Sequence, residues 1–398
     1  MPSSRKRELV EQLGIMKAEF PDVNLGVNLF PGRVKSIHIW PLVEKFKSKL
    51  AGWKGRLLSF QARLTLIKSV LLSFQVYNMA IYKWPKSIIK EVEKMIHNFL
   101  WTSDCSKSKM ITSAWHKVCR PMNEGGLGIR RLEWINKSLL MKMCWFVMTS
   151  QSQGAKFLRA KYTKKRGGWI TYHKKFSIWL GLKWVIDIMQ SNSNWVLGNG
   201  REISLWNDAW CSDRSIINLL NVGSNRMTLS SKVSDIIQNG RWVYPPDFSM
   251  ILQKIGIDTN SLPIPSEEFD TRVWSLTTYG SFTVASNLDL IRDHFPKVSW
   301  SKWVWKTCIH LRLSSQVWKI LNGSCATDDI IKKCGVQLAS RCFFCECQEE
   351  DIDHIIWTCR FSMEIWDWIH NLFHLQRGQD FVEILKKESS HSEAVSQA

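Results

Sequence analysis

No stretch of this sequence stays apolar for long enough to cross a bilayer. The longest nearly uncharged run, residues 69 to 82, is 14 residues long and carries Ser, Gln and Asn, whereas a spanning helix needs about 20 apolar residues. No membrane partner is expected. The amino terminus, Met-Pro-Ser-Ser-Arg-Lys-Arg-Glu, lacks the apolar core of a signal peptide. The expectation is a nuclear or cytoplasmic protein, not a secreted one, with cysteines serving as ligands or buried thiols. Internal repeats are missing, and so is a P-loop. The Gly-rich stretch Asn123-Glu-Gly-Gly-Leu-Gly-Ile-Arg130 has no βαβ setting and no following Lys-Ser/Thr, so it reads as a turn leading into a helix.

Carboxylates are scarce in one half only. Residues 1 to 200 hold 34 Lys and Arg against 11 Asp and Glu, a balance of +23; residues 201 to 398 hold 20 against 24, a balance of −4. The two halves have different electrostatic jobs. A surplus that large attracts polyanions through counterion release, with strong salt dependence, so RNA or DNA is the partner expected of the first half. The rest of the composition, 45% hydrophobic and 22% charged over 398 residues, suits a globular chain of two or three domains.

Residues 23 to 30 alternate Val23, Leu25, Val27 and Leu29 as a half-buried strand does, with no strand partner evident nearby, and Pro31-Gly32 ends it. Helical periods follow. Leu42, Phe46, Leu50 and Trp53 make one stripe, Phe60, Leu64, Ile67, Leu71 and Phe74 a second, and Ile88, Val92, Ile96 and Phe99 a third. Three successive helices argue for a bundle with a basic exterior. A further helix after the Gly-rich turn aligns Leu132, Ile135, Leu139, Met143 and Phe146. Residues 156 to 176 interleave Lys161, Lys164, Lys165, Arg166, Lys174 and Lys175 with Tyr162, Trp169, Tyr172 and Phe176; this is either a groove that tracks a nucleic-acid backbone or a charged loop. Two β-hairpins are expected, residues 195–206 around Gly198-Asn-Gly200 and residues 273–284 around Tyr279-Gly-Ser281, with an acidic linker near residues 263–270 between them. Helices are then expected over 285–294, 303–321, 327–334 and 361–375.

The sharpest motif is Cys342-Phe-Phe-Cys345, followed by His354 and Cys359. Two thiols two residues apart can turn back on one ion, and a His with a third Cys completes a tetrahedron of soft ligands. Four protein ligands leave no open position for water, so the expected Zn2+ is structural. Metal binding at such a site is folding energy on the order of 10 kcal/mol. A chance gathering of thiols in a chain with 11 cysteines is the alternative, and Cys347 is a spare thiol beside the motif. The loop is acidic, with Glu346, Glu349, Glu350, Asp351 and Asp353 and no Lys or Arg between Cys342 and Cys359. It is a poor phosphate reader and a good staple.

Several stretches together resemble one family. Phe30-Pro-Gly-Arg-Val-Lys-Ser, Trp40-Pro-Leu-Val-Glu-Lys, Trp53-Lys-Gly-Arg-Leu-Leu-Ser-Phe-Gln-Ala-Arg and Phe99-Leu-Trp101 look like the region after the polymerase palm of plant non-LTR (LINE-type) retrotransposon reverse transcriptases. Gly198-Asn-Gly200, Trp206-Asn-Asp-Ala-Trp210, Gly280-Ser-Phe-Thr-Val284, Trp305-Lys306 and the Cys342 to Cys359 cluster look like that family's zinc-binding domain. The resemblance implies a residual palm-edge strand in 1–35, a helical thumb-like domain in 36–150, a connection region in 151–262, a reverse-transcriptase zinc-binding domain in 271–375 and a disordered tail in 376–398. The implied fold is α+β, mainly α: a helical thumb-like bundle, a small middle region of β-hairpins and a helical zinc-binding C-terminal domain.

The departures from that family bear on activity. Its palm carries an aromatic-Ala-Asp-Asp turn that holds two metals, and these residues contain none. Their one Asp-Asp, Asp328-Asp329, follows Cys325-Ala326-Thr327 in a helix leading to the zinc motif, and no RNase H set of carboxylates follows. The expectation is a non-enzymatic fragment that binds nucleic acid through Lys54, Arg56, Arg63 and Lys68, and that needs a polymerase palm from another chain for any synthesis. A zinc-stapled protein-interaction module and a functionless retroelement relic are the other readings.

Overall fold

The helical periods of the first half fold as helices, in a computed structural model that describes residues 22–24, 27–30, 32–53, 57–73, 76–106, 111–164, 168–172, 178–220, 231–374 and 382. Among these residues the chain is mainly helical, with three sheets of two strands each. The expected α+β, mainly α class is the one found. Two compact units share the chain. One comprises the described parts of residues 1–35, 76–84 and 134–292, and the other those of 36–75, 85–133 and 293–398.

In the unit that carries the cysteine motif, Ser36–Gly52 buries Ile39, Val43, Phe46 and Leu50, the three-and-four spacing of one helix face. It packs on Lys86–Thr102, which buries Ile88, Ile89, Val92, Ile96 and Phe99. Phe60–Leu66 starts where the Ser59 hydroxyl accepts the Ala62 N–H at 3.2 Å, and it runs into a π turn at Ile67–Leu71. The helix Leu311–Leu321 also packs on Phe60–Leu66.

The Gly-rich stretch is a turn leading into a helix, as its sequence implies. A Cβ on Gly126 would lie 2.0 Å from the Arg120 carbonyl oxygen, and Gly125 and Gly128 have φ of +83° and +70°, so only glycine suits these positions. The turn's polar groups are used by the protein. Gly125 O accepts from Trp318 Nε1 at 2.9 Å, Asn123 O from Val298 N at 2.9 Å, and the Glu124 carboxylate from Phe295 N at 3.1 Å.

In the other unit, the strand read at residues 23–30 is a small hairpin. Asp22–Asn24 pairs antiparallel with Val27–Leu29, so the segment supplies its own partner. The helix Leu132–Thr149 shows another difference. It buries Leu132, Leu140, Met141, Cys144, Val147 and Met148, while Phe146 is exposed. Apolar residues lie on most of its sides, so period alone did not select the inner face. Two buried amides took part in that selection. Asn136 accepts the Trp84 N–H at 2.9 Å and donates to Met79 O and Tyr82 O at 2.7 and 2.8 Å, and Ser138 donates to Asn287 Oδ1. Trp179–Ser191 packs Trp179, Leu182, Val185, Ile186 and Met189 into the same core, with Tyr162 and Trp274.

The expected hairpin over residues 195–206 does not form. Ser193–Val196 pairs antiparallel with Thr271–Trp274 instead, because the intervening chain folds back on Asp270. The Asp270 carboxylate accepts the N–H groups of Gly198, Gly200 and Glu202, each at 2.9 Å. The hairpin expected over 273–284 is half present. Gly280 makes the turn at φ +66°, and its carbonyl accepts the Trp274 N–H at 2.7 Å, yet residues 282–283 make no strand. Thr283 caps the helix Val284–Ile291 by accepting the Ser286 N–H at 3.0 Å. Residues 134–292 form one continuous part of this unit, so the acidic stretch near 263–270 runs inside it. Later helices Ser301–Val304, Leu311–Leu321, Asp328–Lys333 and Arg360–Phe373 follow the expected order, the second expected span being broken in two.

Candidate zinc site

Cys342 and Cys345 sit on a tight knuckle. The Cys342 carbonyl accepts the Glu346 N–H at 3.0 Å, and the Cys342 N–H donates to Gln348 O at 2.7 Å. Glu346 takes the left-handed backbone at φ +55°, a conformation that costs a non-glycine residue about 1 kcal/mol. Arg341 holds it there. Its Nε donates to Glu346 O at 2.7 Å and its Nη2 lies 2.9 Å from the Glu346 carboxylate.

The other two residues come from one π turn, His354–Thr358. Asp351 starts it, its Oδ1 accepting the His354 N–H at 2.7 Å. Residues five apart on an α-helix point about 140° away from each other, which would send the fifth residue away from the imidazole. The wider π turn, closed by Cys359 N–H to His354 O at 2.8 Å, brings Cys359 back to the side of His354.

The four donor atoms lie within 4.8 Å of one another. Cys342 Sγ is 3.9 Å from Cys359 Sγ, and Cys345 Sγ is 3.3 Å from His354 Nε2. A tetrahedral zinc ion with bonds of about 2.3 Å to sulfur separates its sulfurs by about 3.8 Å, close to the Cys342–Cys359 distance, and the widest pair of donors would close by about 1 Å around it. His354 Nδ1 lies 3.0 Å from Thr358 Oγ1, which fixes the ring and points Nε2 at the thiols. The Cys347 backbone hydrogen bond, aided by His354 and Cys342, brings the Cys345 thiol down to about 6, ready to bind as thiolate. Three sulfurs and an imidazole are ligands for zinc and not for magnesium or calcium. Four protein donors around one point would leave a bound ion no open position for water, the arrangement of a structural site. Cys347 lies outside it, donating its thiol to Cys345 O at 2.9 Å.

Residues 282–366, which contain the whole quartet, match the family described as zinc-binding in reverse transcriptase. Over these residues the chain is similar to that zinc-binding family. A putative ribonuclease H protein of Arabidopsis thaliana is 26% identical over 348 residues, covering 82% of this chain and 54% of the relative. The chain thus spans about half the length of that protein. An uncharacterized mitochondrial protein of Arabidopsis thaliana is 24% identical over 155 residues, which is 38% of this chain and all of the relative.

Of the four expected phosphate contacts, the structure describes Arg63 and Lys68. Lys54 and Arg56 lie outside the described residues. Arg63 is half-buried and donates Nε to Leu100 O at 2.9 Å and Nη1 to Leu58 O at 2.8 Å. Lys68 is half-buried above Gly128, and desolvation pulls its pKa down to about 8. Within the basic aromatic stretch, Tyr162 is a core residue stacked on Trp179, with ring centroids 4.6 Å apart, while Tyr172 is exposed. Lys165, Arg166, Lys174, Lys175 and Phe176 lie outside the described residues.

Sequence reading missed a second basic aromatic cluster. Lys83 Nζ lies 4.4 Å and Lys137 Nζ 5.6 Å from the centre of the Trp184 ring, and Lys183 lines the same shallow pocket. Three separate segments build it, and no local pattern joins them. Asp328-Asp329 serves a helix start. Asp329 accepts from Thr327 Oγ1 at 2.5 Å and pairs with Lys333 at 3.0 Å. No helix among the described residues is long and apolar enough to cross a membrane.

Proposed function

We propose that this chain is a non-catalytic, nucleic-acid-associated piece of a retroelement reverse transcriptase, gripping RNA or DNA through its basic half and using zinc as a local staple. The observation that carries it is the charge division: +23 over residues 1–200 and −4 over the half that holds the cysteine quartet. Phosphates are drawn to the first and repelled by the second. The lysines around Trp184 support the reading, because an indole flanked by ammonium groups offers a base a stacking face and its phosphate a counter-charge. Lys54, Arg56 and Lys68 remain proposed contacts, whereas Arg63 donates to the Leu58 and Leu100 carbonyls, a structural task that competes with that role. The non-catalytic part rests on the absence of an aromatic-Ala-Asp-Asp turn from these 398 residues. Polymerisation would then require a palm outside these residues.

The test is binding of a labelled RNA/DNA hybrid to the full chain across a salt series. Steep salt dependence is expected, and replacing Lys83 and Lys137 by Gln should lower the slope of log affinity against log salt by about 2. Salt-insensitive or absent binding overturns the nucleic-acid reading, and nucleotide incorporation by the chain alone overturns the non-catalytic one.

A further inference from the structure

The helix Arg360–Phe373 carries two apolar faces, and among the described residues only one of them is covered. The first, Ser362, Trp366, Ile369 and Phe373, is the side that ties the helix to the zinc turn. Ser362 donates to Ile355 O, Trp366 Nε1 donates to Ile356 O at 2.8 Å, and the Trp366 ring stacks on Trp357 with centroids 5.4 Å apart. The second face lies about 100° further round the axis and follows the same spacing: Phe361, Ile365, Trp368 and Leu372, which are 45%, 41%, 63% and 54% exposed. No residue of this helix is buried.

The stripe continues past the helix. Phe344 stacks on Phe361 with ring centroids 4.8 Å apart and planes 2° from parallel, and Phe343 beyond it is exposed. From Phe361 to Leu372 the stripe is about 16 Å long, the length of three helical turns. Its surroundings are acidic. Residues 342–373 hold seven carboxylates, five from Glu346 to Asp353 and then Glu364 and Asp367, of which Glu346, Glu349 and Glu364 pair with Arg341, Lys332 and Arg360. With those three pairs counted, the balance of −4 repels nucleic acid and favours a cationic protein surface.

We propose that the face formed by Phe343, Phe344, Phe361, Ile365, Trp368 and Leu372 docks a basic amphipathic helix of a partner protein. Apolar residues of the partner fill the stripe, and lysines or arginines on its flanks meet the carboxylates. The zinc quartet fixes the geometry of this surface by holding the turn on which the helix is anchored. The inference is independent of nucleic-acid binding by the basic half and stands or falls on its own experiment.

The probe is a fluorescein-labelled Leu/Lys amphipathic peptide of about 18 residues, five helical turns, titrated into the zinc-loaded full chain by anisotropy. A Leu/Glu peptide of the same pattern and a scrambled Leu/Lys peptide with no apolar face run beside it. The expected result is saturable binding of the patterned Leu/Lys peptide alone, weakened at least about tenfold in the double variant Ile365→Ser, Trp368→Ser. Phe343→Ser, off the helix, weakens binding too and keeps the test valid where the double variant loses its metal. Equal binding of the scrambled or Leu/Glu peptide overturns the proposal, as does binding that neither variant alters, or no binding. A dimer in sedimentation that the double variant dissociates also overturns it, by making a second copy of this chain the occupant.

Discussion

Cys359 donates its backbone N–H to the carbonyl of His354 across 2.8 Å, and this one bond, spanning five residues, turns two residues of a helical segment into a pair of zinc donors. The knuckle supplies the other pair independently. Each half-site is therefore shaped by its own backbone, and a bound ion would join them.

Removal of the metal should release that join without unfolding the whole chain. The full chain is expected to carry one zinc per molecule, and Cys359→Ser to fall to about a tenth of that, since one lost ligand commonly costs a structural site its occupancy. Hydrogen exchange at Cys359 and Trp366 should then accelerate, with Leu140 and Val185 unaffected. Full zinc retention by the variant would show that the quartet is not the binding site.

Glu93 gives a pH signature. Its carboxylate is buried among apolar neighbours while accepting the Leu132 N–H at 2.8 Å, and desolvation raises its pKa above the ordinary 4.5 despite that bond and nearby Arg131. A raised carboxyl pKa means that the folded state binds the proton more tightly than the unfolded chain. Stability is then greatest below about 4.5 and falls as pH rises through the folded pKa. Glu93→Gln keeps the acceptor and removes the charge, so it should raise Tm at about pH 7 and change it little at about pH 4. A variant that is less stable at neutral pH would contradict this.

Asn136 is a further point of high cost. Its side chain serves three backbone groups, Trp84 N–H, Met79 O and Tyr82 O, at full burial. Asn136→Ala leaves all three without that partner and should cost about 3 kcal/mol in denaturant unfolding. Asn136→Asp should be as costly, because a carboxylate cannot donate to the two carbonyls.

Arg63 separates a structural role from a phosphate contact. Its guanidinium spans Leu58 O and Leu100 O, so Arg63→Met should lower stability by about 2 kcal/mol and leave the salt slope of nucleic-acid binding within about half a unit of wild type. A slope lowered by about 1 with stability unchanged would restore Arg63 as a phosphate contact.

The legible parts of this sequence were those encoded locally. Helices such as Lys86–Thr102 declare themselves by spacing, and the cysteine motif by ligand type and separation. The strand Ser193–Val196 could not be placed, because its partner Thr271–Trp274 lies more than seventy residues away and the glycines beside it suggested a closer one. The buried face of Leu132–Thr149 was obscured by a helix apolar on most sides and by the inward Asn136 and Ser138. The cluster of Lys83, Lys137 and Lys183 at Trp184 exists only after three segments meet.

Each compact unit is assembled from three pieces of chain interleaved with those of the other. A ribosome delivering this chain therefore finishes neither unit early. The helices Ser36–Gly52 and Lys86–Thr102 emerge well before the segment beginning at Asp293 that completes their unit, and until then their apolar faces wait in the open. Contacts so distant in sequence fold slowly and expose aggregation-prone surface. Synthesis of this protein at high levels should depend on chaperones that shelter the first half until the last third has been made.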